Sequence, residues 1–419
     1  MKFSFLIILI AGTLWGTACS DAKNPYEHHS AEADRLIQSA LKDSLFAGSV
    51  LLVSHLGDII HHRAYGHAAL YDREGRLHSD PELMTTEHQF DLASLTKIFS
   101  ATYGIMYLHS NEQLHIDDRV CDYLEPFDSD EKRNITIRHL LSHTSGLMQW
   151  HPTYYNAENK EERLKFIGKT SLSWEIGETR RYSDLGFMVL GDLIETVSGQ
   201  NLDDFLSDHI FAPLSLEMTL FNPGVRGQFN IVSTSHGNPF EKKMVYEDDF
   251  GFTVNVDPGT WDGWRDYILQ GEVNDGNAFH THDGIAGHAG LYSTAGELYK
   301  LLQPVLDQHP GIQNHAADDT ELFSAETIKR FLTPDEFGHG LGWMMTSASL
   351  HAEDLPEGSF GHTGFTGTNL LVVPEEELVI IFLTNRQHYD VDETGNYPDL
   401  REIRTSITNI FLNPEEPYL

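Results

Sequence analysis

Strand signals stand at the two ends of this chain and helical signals fill the stretch between them, a distribution that leaves few folds open. Residues 47–55 (Ala-Gly-Ser-Val-Leu-Leu-Val-Ser-His) and 59–66 read as two strands, joined by a hairpin turn at Leu56-Gly57-Asp58. Residues 340–346, 359–362, 369–373 and 378–384 read as further strands, and the loop rich in Asp, Glu and His up to about His88 as irregular. A helix over 31–44 carries Ala33, Leu36, Ile37, Ala40 and Leu41 on one face, and one over 400–412 carries Ile403, Ile407 and Leu412. Strands so far apart in sequence bury their apolar sides by pairing with one another. The expectation is an α+β fold: one antiparallel sheet built from both termini, with a helical insertion between its halves.

The 419 residues carry 28 Lys+Arg against 63 Asp+Glu, a net charge of −35. Such a surface repels nucleic acid and anionic membranes, so neither is an expected partner. Residues 1–19 consist of one early Lys, an apolar run and small residues before Cys19, the layout of a secretory signal peptide. Ser20-Asp21 after Cys19 resembles a bacterial lipoprotein cleavage site, which would make Cys19 a lipidation site and the membrane a contact through that anchor alone. Gly16 stands where that motif usually has an aliphatic residue, so ordinary signal cleavage is the alternative. Either way the expectation is an exported protein, periplasmic or at the cell surface. Residues 20–30 read as a polar tether and 31–412 as the folded domain.

Chemistry points first to Asp91-Leu92-Ala93-Ser94-Leu95-Thr96-Lys97, which runs into an apolar-periodic helix to about Ser110. Residues three apart on a helix are neighbours, so Ser94 would hold its hydroxyl beside the Lys97 amine. A serine hydroxyl needs such a base to become a nucleophile, and a helix N-terminus adds N–H groups where an oxyanion forms. The bland alternative is a capping Ser and a solvated Lys. A second signal is Arg181-Tyr182-Ser183-Asp184, where Tyr182 could accept a proton if neighbouring cations lowered its pKa. A third is Phe360-Gly361-His362-Thr363-Gly364-Phe365, at a strand end where glycines admit a ligand to the backbone.

In this order the three signals form S-x-x-K, Y-x-D and H-T-G. The chain resembles the serine β-lactamase and penicillin-binding-protein superfamily, whose motifs are S-x-x-K, [SY]-x-N and [KH]-T-G, and within it the class C β-lactamase-related hydrolases and esterases. The flanking stretches Leu140-Leu141-Ser142-His143-Thr144-Ser145-Gly146 and Gly287-His288-Ala289-Gly290 share the likeness. The resemblance implies a sheet with helices on both faces beside an all-helical lobe, with the site at their seam. It implies that Ser94 is acylated, that Lys97 and Tyr182 share the base role, and that the N–H groups of Ser94 and Phe365 form the oxyanion hole. Thr363, Gly364, Asp184 and His288 would then lie at the substrate, and His362 beside the substrate's carboxylate or Tyr182.

Asp184 replaces the usual Asn and His362 the usual Lys. An ionised Asp184 would keep Lys97 charged and move the base role towards Tyr182, while a neutral His362 would weaken attraction for a substrate carboxylate. His280, His282, Asp283 and His288 lie close in sequence, but their spacing matches no metal motif such as H-E-x-x-H, so no metal and no cofactor are expected. His28-His29 and His61-His62 read as surface. The functional expectation is a serine hydrolase acting on a small-molecule or peptide substrate, an esterase or D-amino-acid peptidase rather than a dedicated β-lactamase. The alternative is a catalytically idle or slow penicillin-binding or peptidoglycan-sensing module of the same fold.

Overall fold

Apolar residues occupy both faces of the terminal strands, and the fold covers both. A computed structural model describes residues 26–313 and 321–412; Cys19 and the expected signal segment lie outside them. Its main sheet is built from β1 (Gly48–His55), β2 (Asp58–Tyr71), β3 (Leu77–Leu83), β4 (Phe360–Thr363), β5 (Asn369–Val373) and β6 (Leu378–Thr384). The strand order is β3-β2-β1-β6-β5-β4 and every pairing is antiparallel. β1 pairs β6 from Ser49↔Thr384 to His55↔Leu378, so the two ends of the chain meet at the centre of the sheet.

Side-chain alternation then sorts the strands into two cores. Leu51, Val53, Val373, Ile380 and Phe382 face α1 (Glu27–Lys42) and the C-terminal helix Arg401–Leu412, meeting Ala33, Ile37, Ile403 and Ile407. Val50, Leu52, Val372, Ile381 and Leu383 face the helix Ala295–Leu306 and the helical lobe. Each such aliphatic side chain taken fully out of water contributes about 1.5–3 kcal/mol. The lobe contains the helix Asp184–Ser198, capped by the Ser183 hydroxyl on Gly186 N and ended by Gly199 at φ 71°. A second, three-stranded sheet pairs Phe90–Asp91 and Leu220–Phe221 with the middle strand Leu291–Ser293, clamping the chain just before Ser94.

Several expectations change. The helix of α1 begins at Glu27, so the last residues of the expected tether belong to the fold. Residues 340–346 form no strand. Met344 bridges Gly361 alone, because Gly342 turns the chain at φ 82° and Trp343 buries itself against Phe360, 5.1 Å between rings. β3 lies within the expected loop; it is an edge strand of mostly exposed residues containing Pro81, where Pro is tolerated. His61 is buried rather than on the surface, with its Nε2 2.8 Å from the Tyr65 hydroxyl.

Candidate active site

The segment after Asp91 does not enter a plain α-helix. Ala93–Leu95 form a 3₁₀ turn, Lys97–Thr102 widen into a π turn, and regular α-helix runs only over Tyr103–Ser110. Single π turns of this kind concentrate at functional sites. Ala93 has φ 46°, a left-handed conformation that an alanine holds only when its surroundings enforce it. The buried Asp91 carboxylate supplies that constraint, accepting from Ala93 N at 2.8 Å and from Asn274 N at 2.7 Å. Thr366 and Thr368 Oγ1 donate to the carbonyls of Asp91 and Leu92, at 2.7 and 2.9 Å, tying the strand-end loop to the same turn.

Lys97 is 1% exposed and its Nζ is held three ways. It donates to Ser94 Oγ at 3.1 Å and to the carbonyl of His288 at 3.2 Å, and lies 2.7 Å from Asp184 Oδ1. Tyr182 is hydrogen-bonded to both Ser94 and Lys97. Burial disfavours a charge on Lys97, but the Asp184 carboxylate outweighs it and the ammonium is held above its ordinary pKa. Tyr182 is raised as well: burial is the largest cause, Lys97 pulls it down, and Asp184 pushes it up. The expected lowering by neighbouring cations therefore does not prevail, and the resting site pairs an ammonium with a neutral phenol.

Two imidazoles flank Tyr182. The His143 ring lies 4.5 Å away, tilted by 33°, and accepts from Ser183 N at 2.9 Å, while the His362 ring lies at 5.9 Å. His362 therefore takes the second of its two expected places, beside Tyr182, and not the one at the substrate. It is 1% exposed and does not line the substrate cavity. Burial first and Lys97 second lower its pKa to about 3, so it carries no charge for a substrate at neutral pH. Thr363 and Gly364 are not on the cavity wall either. Gly364 instead allows close chain approach, since a Cβ there would strike Thr368 Oγ1 and the carbonyl of Leu92. Phe365 does reach the cavity; the carbonyl of the Gly364–Phe365 peptide accepts from Gly367 N at 3.1 Å, which fixes that peptide plane.

Ser94, Lys97, Tyr182, Asp184, His288 and Phe365 all line one cavity of about 300 Å³. Much of its remaining wall carries no motif, including Trp150, Asn238, Phe240, Glu241, Asn274 and Asp275. The other histidines of the 280–288 stretch have separate partners. His280 packs edge-on against Trp261, its ring 4.8 Å away, His282 Nδ1 lies 2.9 Å from Thr281 Oγ1, and His288 Nε2 lies 3.0 Å from Asp275 Oδ1.

With the sheet, the helical lobe and the S-x-x-K/Y-x-D cavity at their seam in view, comparison with known proteins decides the family. The β-lactamase family model matches residues 33–404. The chain belongs to the β-lactamase family. An Escherichia coli K12 protein named "Putative D-alanyl-D-alanine carboxypeptidase" is 30% identical over 373 residues, covering 84% of this chain and 81% of that one. A Bacillus subtilis protein named N-acetylmuramyl-L-alanine amidase is 30% identical over 376 residues, covering 85% and 81%. The crystal structure of a class C β-lactamase from Rhodobacter sphaeroides shares the fold with a TM-score of 0.64 at 18% identity, covering 91% of this chain and 99% of that one. Family and relatives make this β-lactamase-family member a serine hydrolase.

Proposed function

We propose that this chain is an exported hydrolase that cleaves an amide or short ester through an acyl-enzyme on Ser94. The observation that carries the reading is the placing of Lys97 Nζ between Ser94 Oγ and Asp184, with Tyr182 bonded to both Ser94 and Lys97. Lys97 is tied to its proton by Asp184, so Tyr182 is the group that takes the Ser94 proton; its phenol, neutral at rest, first releases its own proton to water, and the phenolate so formed is stabilised by the adjacent ammonium. Ser94 Oγ then bonds to the substrate carbonyl carbon, the C–N or C–O bond breaks, and the leaving group departs with the proton that Tyr182 received. Water repeats the sequence and frees Ser94. The N–H groups of Ser94 and Phe365 hold the oxyanion.

The relatives' names both describe amide bonds beside alanine, which favours an amide of that class over a β-lactam. The neutral, buried His362 offers no charge to the carboxylate that a β-lactam and a D-alanyl-D-alanine terminus both carry, so it favours neither. Export rests on the signal-like segment 1–19, with lipidation of Cys19 as its finer form; among the described residues no helix is long and apolar enough to cross a membrane. The test is a serine-reactive fluorophosphonate together with turnover of 4-nitrophenyl acetate and a D-alanyl-D-alanine peptide. Label on Ser94, and loss of roughly three orders of magnitude in turnover in Ser94→Ala, is the expected result. Label without turnover would indicate a sensor, and turnover surviving Ser94→Ala would overturn the nucleophile.

A further inference from the structure

The charges on the cavity wall are unbalanced in a way the acyl-enzyme chemistry does not require. Among the described residues lining it, Lys97 is the only Lys or Arg, and Asp184 already occupies that ammonium. Asp91 is committed to two backbone N–H groups. Glu241 and Asp275 remain on the same wall; Asp275 Oδ1 accepts from Ala278 N at 2.7 Å and lies 3.0 Å from His288 Nε2. Glu241 Oε1 accepts from the Tyr154 hydroxyl at 2.8 Å, and its Oε2 accepts from Gly276 N at 3.1 Å, so it abuts the residue that follows Asp275. A Cβ at Gly276 would collide with the Glu241 carboxyl, so glycine there lets the two acids approach.

A separate feature points to a ligand at this place. The His288 imidazole, 1% exposed and on the cavity wall, reaches Asp275 through Nε2 and leaves Nδ1 buried with no partner among the described residues. Beside the acids the wall is apolar: Trp150, Phe240, Met244 and Phe252. Two carboxyls facing one cavity repel. Burial first and the Asp275 charge second push Glu241 well above the usual carboxylate range, against the opposing pull of Tyr154 and Arg265. An ammonium placed between the two removes that repulsion, whereas a carboxylate would meet two acids and no free cation.

We infer that Glu241 and Asp275 select substrates bearing an ammonium group near the scissile bond, with an adjoining apolar group packed against Phe240, Met244 and Trp150. This deepens the acyl-enzyme reading and rests on it. Substrates with a carboxylate at that position are disfavoured.

The experiment compares three 4-nitroanilides of one apolar amino acid, in both enantiomers, with a free amino group, an N-acetyl group or an N-succinyl group. The free amine should exceed the succinyl compound in kcat/KM by tenfold or more at pH 8. Glu241→Gln should reduce that ratio at least fivefold, and Asp275→Asn should do the same. Inhibition of wild-type 4-nitrophenyl acetate hydrolysis by benzylamine and by benzoate covers the case in which the variants misfold: benzylamine should compete at least tenfold more strongly. Equal turnover of amine and succinyl compounds, equal inhibition by the two aromatic ions, or a ratio unchanged in both variants would overturn the inference. Hydrolysis of the neutral ester that depends on Ser94 while any of these holds would leave the acyl-enzyme reading standing and remove this one alone. Ester hydrolysis independent of Ser94 would remove the reading on which it rests.

Discussion

Asp184 Oδ1 lies 2.7 Å from Lys97 Nζ, closer than the 3.1 Å that separates the same nitrogen from Ser94 Oγ. The carboxylate raises the pKa of Lys97 and also that of Tyr182, so it stabilises the ammonium and resists formation of the phenolate. Replacing it with a neutral amide removes the resistance. Asp184→Asn should therefore move the acidic limb of the kcat/KM–pH profile to lower pH, by about one unit on the scale of a lost neighbouring charge. A limb that stays in place, or moves up, would show that the Asp184 charge does not act on the titrating base.

Tyr182→Phe keeps the ring between His143 and His362 and removes only the hydroxyl bonded to Ser94 and Lys97. The expected result is a fall in kcat of about 10²–10⁴-fold, the usual size of a general-base contribution, with KM nearly unchanged. Fluorophosphonate labelling of Ser94 should slow in parallel. A loss confined to KM would place Tyr182 in binding instead.

Asp91→Asn tests the support beneath the nucleophile. An amide can accept from Ala93 N or Asn274 N, but its NH₂ then faces the other donor. The cost of that unsatisfied pair is about 1–3 kcal/mol. The left-handed Ala93 loses its restraint with it, so Ser94 labelling should slow roughly tenfold while KM for small esters changes little. The wild-type carboxyl is pushed up to about 6, chiefly by burial. A steeper fall in rate from pH 7 to pH 5 in wild type than in Asp91→Asn would report its protonation.

Acid stability follows from the histidines. His61, His339 and His388 are each lowered to about 4 and His362 to about 3, all mainly by burial. Each has a folded pKa below the unfolded value of about 6.5, so the unfolded chain binds more protons between those limits. Their contribution is complete above pH 6.5 and is lost as pH falls towards 3. Asp91, raised to about 6, and Glu241, raised to about 8, act in the opposite sense but are two groups against four. The melting temperature should drop by roughly 5 °C or more between pH 7 and pH 4.5, measured by circular dichroism. A flat profile would mean that these imidazoles are solvated.

Much of the candidate site was legible because its side chains sit in short stretches where spacing alone makes neighbours. Ser94 and Lys97 are one turn apart, and Tyr182 and Asp184 flank a helix cap. β5 and β6 were legible to the residue as apolar runs separated by Pro374 and three glutamates. What escaped has no local pattern. Glu241 and Asp275 lie 34 positions apart in loop-rich sequence, and their meeting depends on Gly276 leaving room. β3 was invisible because an exposed edge strand has no apolar face to alternate. For His362 the sequence left two places open, at a substrate carboxylate or beside Tyr182, because burial is decided by what packs over it. Asp91 stood in view at the head of the Ser94 stretch, yet its role needed a backbone torsion that no side-chain pattern encodes.

The pairing of β1 with β6 also governs how the chain reaches this state. Ser49 and Thr384 are neighbours in the finished sheet, so the first hairpin has both apolar faces uncovered until nearly the whole chain has been synthesised. Closing so long a loop is slow, and contacts this distant in sequence delay folding. The helical lobe, whose contacts are more local, can collapse first and serve as the surface on which the two ends find each other. The nucleophile turn borrows its restraints from Thr366 and Thr368 in the last sixth of the chain. A chain that stops short of Thr366 lacks both of those restraints on the turn.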